Sequence, residues 1–279
     1  MRLIKKILIL ALLLIVVNNT QAGVIKIMTY NIRLDIAVDG VNQWGKRINA
    51  VKSVINAQSA DILCVQEALP NQIADLKKMM PGYNYVGVGR EDGKQKGEYS
   101  AIYYRSNRFT LLQSNTFWLS PTPDEPGSIG WDAAITRICT YAQFRDKKDG
   151  KVFWVFNTHF DHIGEVARKE SALIIVDKIA QLAGNQAVLL AGDFNSEATS
   201  GAYHTIIQNT AHSLSDSYQP NGKECTFKGF EVASKECKRI DFVFIDGNMS
   251  LRTYQIITKN NGTYYPSDHL PVVVEVSIH

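Results

Sequence analysis

Several short apolar segments of this chain run into polar residues that a hydrophobic core would not need, and this constrains the fold more than any other feature. Val24 to Tyr30 leads into Asn31, Asp61 to Gln66 into Glu67, and Lys151 to Thr158 into His159. Ala187 to Ala191 leads into Gly192-Asp193-Phe194-Asn195. Asp241 opens the segment Asp-Phe-Val-Phe-Ile, and Ser267-Asp268-His269 precedes the last apolar stretch. Short apolar runs bounded by turn residues read as buried strands. Successive strand ends can deliver their side chains to one rim of a sheet. Carboxylates, amides and imidazoles gathered there suit a hard divalent cation, which wants oxygen ligands. They also suit phosphoryl transfer, which wants a metal, a positioned water and hydrogen-bond donors. Singly, Asn31 and Asn195 read as turn formers, and Glu67 or Asp241 as a helix cap or an arginine partner. Their order along the chain carries the signal.

Trp44, Ile48, Val51 and Ile55 recur at helical spacing and predict a helix over 43–58. A second helix is predicted over 71–80, stopped by Pro81-Gly82, and a third over 167–182. Strands are predicted near 83–88, 99–105, 110–119, 136–145, 240–246, 251–258 and 271–278. Mixed strands and helices in two halves of similar pattern predict an α/β chain with two packed sheets and outer helices. The polar stretches 89–98, 120–132 and 219–239 are too short and unbiased for interdomain linkers. One domain over 23–279 is expected.

Residues 1–22 read as a secretory leader: Arg2, Lys5 and Lys6, an apolar run Ile7 to Val17, then Thr20-Gln21-Ala22. The run is short for a bilayer span, which needs about 20 residues. An exported protein, periplasmic or extracellular, is expected, with no stable membrane insertion after cleavage. The chain carries 30 Lys and Arg against 27 Asp and Glu, and the leader holds three of the basic residues and no acidic one. The mature charge is therefore balanced, which gives no overall basic field for nucleic acid. Cys64 and Cys139 read as buried strand residues. Cys225 and Cys237 flank a polar loop, where export permits a disulfide without requiring one. No Cys/His spacing suggests zinc.

Thr29-Tyr30-Asn31-Ile32, Gln66-Glu67, Asn157-Thr158-His159, Gly192-Asp193-Phe194-Asn195, Arg239-Ile240-Asp241-Phe242-Val243 and Ser267-Asp268-His269-Leu270-Pro271 resemble the motif set of the endonuclease/exonuclease/phosphatase superfamily. The motifs lie in that family's order and cover essentially the whole mature chain. Gly-Asp-Phe-Asn-Ser and Ser-Asp-His-Leu-Pro resemble its deadenylase and nocturnin branch most. The resemblance implies a four-layer α/β/β/α sandwich with the site at one end of the paired sheets. It implies Mg2+, or Mn2+, held by Glu67 with Asn31 and Asp268 close by. Asp193 would orient or deprotonate the attacking water, and Asn195 would position water and phosphate. His269 would contact phosphoryl oxygens with Asp241 fixing its tautomer, and His159 would donate to the phosphate.

The sequence departs from that pattern at Asp161-His162, which follow Asn-Thr-His. This pair could set substrate choice, bind a second metal or form a local ion pair. Arg137 is a candidate phosphate grip, and Tyr103, Trp118 and Trp131 are candidates for stacking a base or sugar. The expected activity is metal-dependent hydrolysis of a phosphodiester or phosphomonoester by an activated water. A phosphorylated small molecule or short nucleic acid is the expected partner, and a monomer the expected state. A nuclease on extracellular nucleic acid is the alternative within enzymes. A silent binding module on the same fold is the alternative outside them, but it would lack a metal ligand or a site histidine, and none is missing.

Overall fold

The computed structural model describes residues 23–220, 222 and 225–279, so the expected leader lies outside the described residues. The first half of the chain runs β1 (Val24–Asn31), a 3-10 helix (Ala37–Asn42), α1 (Trp44–Gln58), β2 (Ile62–Ala68), α2 (Pro70–Met79), β3 (Tyr83–Val86) and β4 (Tyr99–Arg105). The second runs β5 (Phe109–Trp118), β6 (Ile138–Asp146), β7 (Val152–His159), α3 (Glu165–Ala183), β8 (Ala187–Asp193), α4 (Gly201–Ile207) and β9 (Leu214–Asp216). β10 (Asp241–Asp246), β11 (Met249–Ile256) and β12 (Val272–Ile278) close it. The strands form two six-stranded mixed sheets, in the orders β11-β12-β1-β2-β4-β3 and β5-β6-β7-β8-β10-β9.

Side-chain alternation explains the layering. Along a strand, successive side chains point to opposite faces. Ile25 and Ile27 of β1, Ile62 and Cys64 of β2, and Phe153 and Val155 of β7 all join the core between the sheets. Their neighbours Met28, Tyr30, Leu63 and Val65 face outward and pack under Trp44, Val51 and Val54 of α1. Trp154 and Phe156 do the same under Ile175, Val176 and Ile179 of α3. Strands covered on both faces must be apolar throughout, which is why these segments read as continuous runs. The result is the four-layer sandwich expected from the resemblance.

Topology then gathers the polar strand ends. β1 and β2 are parallel across α1, and β7 and β8 are parallel across α3, so each pair ends at the same rim. β12 pairs antiparallel with β1, and β10 with β8, so both begin there. In register, Asn31 lies opposite Gln66, His159 opposite Asp193, and Asp193 opposite Asp241. All five share the inward parity of the inter-sheet core residues.

The sheets are joined beneath this rim by a polar staple. Asn157 of β7 is fully buried and donates from Nδ2 to the carbonyls of Val65 and Ala101, 2.9 Å each. Its Oδ1 accepts from Gln66 Nε2 at 2.6 Å. Arg47 of α1, also buried, donates to the carbonyls of Ile32, Arg33 and Pro266, fixing the loop after β1 to the loop before β12. Cys225 and Cys237 form a disulfide, and Cys64 and Cys139 are free and buried. Among the described residues no helix is long and apolar enough to cross a membrane. The elements that the sequence did not reveal are the 3-10 helix, α4 and β9, all short.

Candidate active site

The rim residues form one hydrogen-bonded cluster at the floor of a cleft of about 260 Å³. Asn31 is at its centre. Its Nδ2 donates to Glu67 Oε1 and to Asp193 Oδ2, both at 2.9 Å. Its Oδ1 is taken by the Arg33 amide at 3.0 Å. Asn31 therefore orients the two carboxylates; the oxygen expected to sit by a metal is turned toward the backbone, because the loop at Arg33 needs an acceptor there. Strict alternation would point Glu67 toward the helices. Its left-handed backbone (φ 63) and the irregular β2–β4 register between Val65 and Ala68 turn its carboxylate into the cluster. Oε2 of Glu67 then accepts from the Leu34 amide at 3.1 Å. A non-glycine residue held at positive φ is costly and clusters at functional sites.

Asp193 and Asn195 come from the turn after β8. Gly192 makes that turn possible: it has φ 147, and a Cβ there would lie 2.1 Å from the Thr158 carbonyl. Asp193 Oδ1 accepts from the Asn195 amide at 2.9 Å, which holds Asn195 at φ 45. Asn195 Nδ2 in turn donates to the Phe160 carbonyl and to His159 Nε2, both at 3.0 Å. His269 Nδ1 faces Asp241 Oδ2 at 2.9 Å, and its Nε2 lies 3.6 Å from Asp193 Oδ2. The Asp241 and Ile240 amides donate to Thr226 Oγ1, 3.0 Å each, and the Phe227 ring packs edge-on against the His269 imidazole at 5.0 Å.

Electrostatics separates the titratable groups. Burial pushes the Asp193 carboxyl up to about 7, opposed by His269 and reinforced by Asp241. Burial also raises Asp268, with Glu67 adding to it. His269 is raised too, but by charge: although burial disfavours the imidazolium, Asp241 and Asp193 hold it well above the ordinary histidine range. His159 is held well below that range by burial and by the nearby Arg137 and Arg90 guanidiniums. Two imidazoles about one shared carboxylate thus differ in charge, His269 cationic and His159 neutral.

Arg137 is buried and lines the cleft. Its Nη2 donates to His162 Nδ1 at 3.0 Å and its Nε meets Asp161 Oδ2 at 3.4 Å, while Nη1 has no hydrogen-bond partner. His162 lines the cleft and is half exposed. Asp161 does not touch the cleft. Its Oδ1 accepts from the amides of Ile163 and Gly164, and burial places it beneath Arg137 as a support. Tyr103 is likewise not a stacking residue: it is 1% exposed in the core under α2 and donates to the Ile73 carbonyl at 3.2 Å. Trp118 is buried and donates to the Arg90 carbonyl, whereas Trp131 is 39% exposed. Residues with no strong sequence signal also line the cleft. Arg33 stands 3.9 Å from both Glu67 and Asp268 and is fixed by Asp39. Glu98 pairs with Arg90 at 2.7 Å. Only their distant partners give these residues meaning, so the sequence could not single them out.

A model of the endonuclease/exonuclease/phosphatase family matches residues 28–269, which span every group described above. The chain belongs to this family. Its members hydrolyse phosphate esters, and the endonuclease/exonuclease/phosphatase fold recurs in solved relatives. An endonuclease/exonuclease/phosphatase from Bacteroides vulgatus is 37% identical, covers 92% of this chain and 100% of its own, and superposes with a TM-score of 0.85. The mannosyl-6-phosphatase of Bacteroides thetaiotaomicron is 36% identical, covers 91% of this chain and 100% of its own, with a TM-score of 0.86. The catalytic domain of human nocturnin shares the fold, with a TM-score of 0.74 at 19% identity over 93% of this chain and 98% of its own.

Proposed function

We propose that the protein is an exported, metal-dependent phosphomonoesterase acting on a small phosphorylated sugar. The observation that carries the hydrolytic reading is a carboxyl and an imidazole on one cleft floor, both raised: Asp193, pushed up to about 7, beside His269, held well above the ordinary histidine range and so cationic. A general base is most effective when its pKa lies near the operating pH. The small cleft, the balanced mature charge and the 36% identity to a mannosyl-6-phosphatase support a small ester over a nucleic acid. The leader pattern and the Cys225–Cys237 bond support export, since disulfides persist in oxidising compartments.

The donor set fits a hard divalent cation. Ligand atoms of Glu67, His159 and Asp193 lie within 4.8 Å of one another, and Asp268 borders the same cleft. Burial is the main reason that Asp193 and Asp268 are held toward their neutral forms, with a neighbouring carboxylate adding to each, and a bound cation would favour their charged forms. Glu67 and Asp268 would hold magnesium or manganese, with Asn31 orienting Glu67, and the cation would neutralise charge on the phosphoryl oxygens. In this reading Asp193 takes the proton of the attacking water while Asn195 fixes that water beside it. His269 hydrogen-bonds from Nε2 to a phosphoryl oxygen while Asp241 accepts from its Nδ1, and the departing alcohol oxygen takes its proton from solvent water. His159 and Arg137 bind the remaining oxygens. Magnesium-supported phosphate release should be measured on hexose 6-phosphates, phosphodiesters and oligonucleotides. Release from the hexose phosphates supports the reading. Cleavage of oligonucleotides alone replaces it with the nuclease.

A further inference from the structure

A carboxylate in the wall of an anion-binding cleft repels the substrate's phosphate unless it serves another part of it. Glu98 is such a group. Its side chain lines the cleft at 12% exposure. It stands outside the cluster formed by the ligand atoms of Glu67, His159 and Asp193. Among the described residues, only Oε2 is engaged, by Arg90 Nη1 at 2.7 Å. Beside it on the same wall, the buried Arg137 keeps Nη1 without a partner.

The position is fixed. Glu98 directly precedes β4, and the Arg90 amide donates to its carbonyl at 3.1 Å. Glu91 and Gly89 amides tie the same loop to the Lys96 and Lys94 carbonyls, and Tyr99 Oη donates to Lys94 at 3.0 Å. Trp118 Nε1 anchors the Arg90 carbonyl from β5. The loop that carries Glu98 is thus braced and Arg90 holds one carboxylate oxygen, which leaves little ordering cost for a ligand at this wall to meet.

What such a pair can recognise follows from its chemistry. A hydroxyl both gives and accepts a hydrogen bond. Glu98 Oε1 accepts only, and Arg137 Nη1 donates only. We propose that Glu98, flanked by Arg137, binds a hydroxyl on the alcohol side of the ester, so that the site selects polyhydroxylated, sugar-like leaving groups over aryl ones. This rests on the phosphomonoesterase reading above.

The mature protein with magnesium is assayed on mannose 6-phosphate and phenyl phosphate, alongside Glu98→Gln and Glu98→Ala, with thermal unfolding measured for all three. The ratio of kcat/KM for the sugar to that for the aryl ester should fall about 10- to 150-fold, the range that a hydrogen bond to a charged group supports. The isosteric Glu98→Gln should lie at the lower end of it. Single-deoxy hexose 6-phosphates should include one that is a poorer substrate for wild type yet no poorer than its parent for Glu98→Gln. Parallel losses on both esters, or a constant ratio in the folded Gln variant, overturn the assignment. Wild-type activity on neither ester overturns the phosphomonoesterase reading and the Glu98 assignment with it.

Discussion

Replacing Asp241 by Asn keeps the shape of the Asp241–His269 pair and removes the charge that holds the imidazole cationic. Both side chains are buried and meet at 2.9 Å. Burial alone would make His269 neutral, and Asp241 is the largest of the groups that reverse this. In the Asp241→Asn variant, the new amide can present its nitrogen to Nδ1 and favour the wrong tautomer, leaving Nε2 without a proton to donate. Positioned acid–base help is worth about 10²–10⁴-fold, and turnover should fall within that range. His269→Ala should lose as much. The double variant should be little worse than His269→Ala, because groups acting as a unit are not additive. Phosphate release by the three variants at pH 7, with thermal unfolding as the control, decides the matter. Singles that retain most activity, or losses that multiply in the double, would refute the dyad.

Asn157→Ala removes the side-chain donor from Val65 O and Ala101 O and leaves Gln66 Nε2 only Thr29 Oγ1, and at about 1–3 kcal/mol for each of the two carbonyls the loss should be about 2–6 kcal/mol in denaturant unfolding. A loss under about 1 kcal/mol would mean that the staple is redundant. Burial pushes Asp161 up, but the amides of Gly164 and Ile163 outweigh it and hold the carboxyl at about 2. A depressed folded pKa stabilises above the unfolded value of about 4 and loses that contribution as pH falls toward 2. The stability gap between wild type and Asp161→Asn, followed by urea unfolding against pH, should therefore be constant above pH 4 and shrink below it; a gap that widens in acid contradicts the assignment. Protein recovered from the medium or envelope should have the mass of residues 23–279, and a mass that includes the leader would end the export proposal.

Much of this was legible in the sequence because strand geometry is local. The apolar runs at 24–30, 61–66, 151–158 and 187–191 had to be strands covered on both faces, and their polar last residues had to share a rim once the parallel pairs were made. Asn31, His159 and Asp193 meet there for that reason; Glu67 joins them through its left-handed backbone, and Asn195, Asp268 and His269 from the turns beside β8 and β12. Tyr103 misled because an aromatic residue on a central strand reads the same whether it faces a ligand or α2. Asp161 misled because an acid beside a site looks alike whether it meets substrate or supports Arg137 from below. Arg33, Arg47 and Glu98 were silent because their partners lie in loops or on other elements, and nothing in the flanking residues records that distance.

The central claim is that Glu67 anchors a divalent cation needed for hydrolysis. Phosphate release from mannose 6-phosphate, titrated with magnesium from chelator-treated protein, tests it most directly. Wild type should be inactive without metal and recover saturably. Glu67→Gln should unfold at a temperature close to wild type, need much more magnesium, and turn over at least about 10²-fold more slowly. Full activity of wild type in excess chelator, or a wild-type magnesium curve for Glu67→Gln, would contradict the account.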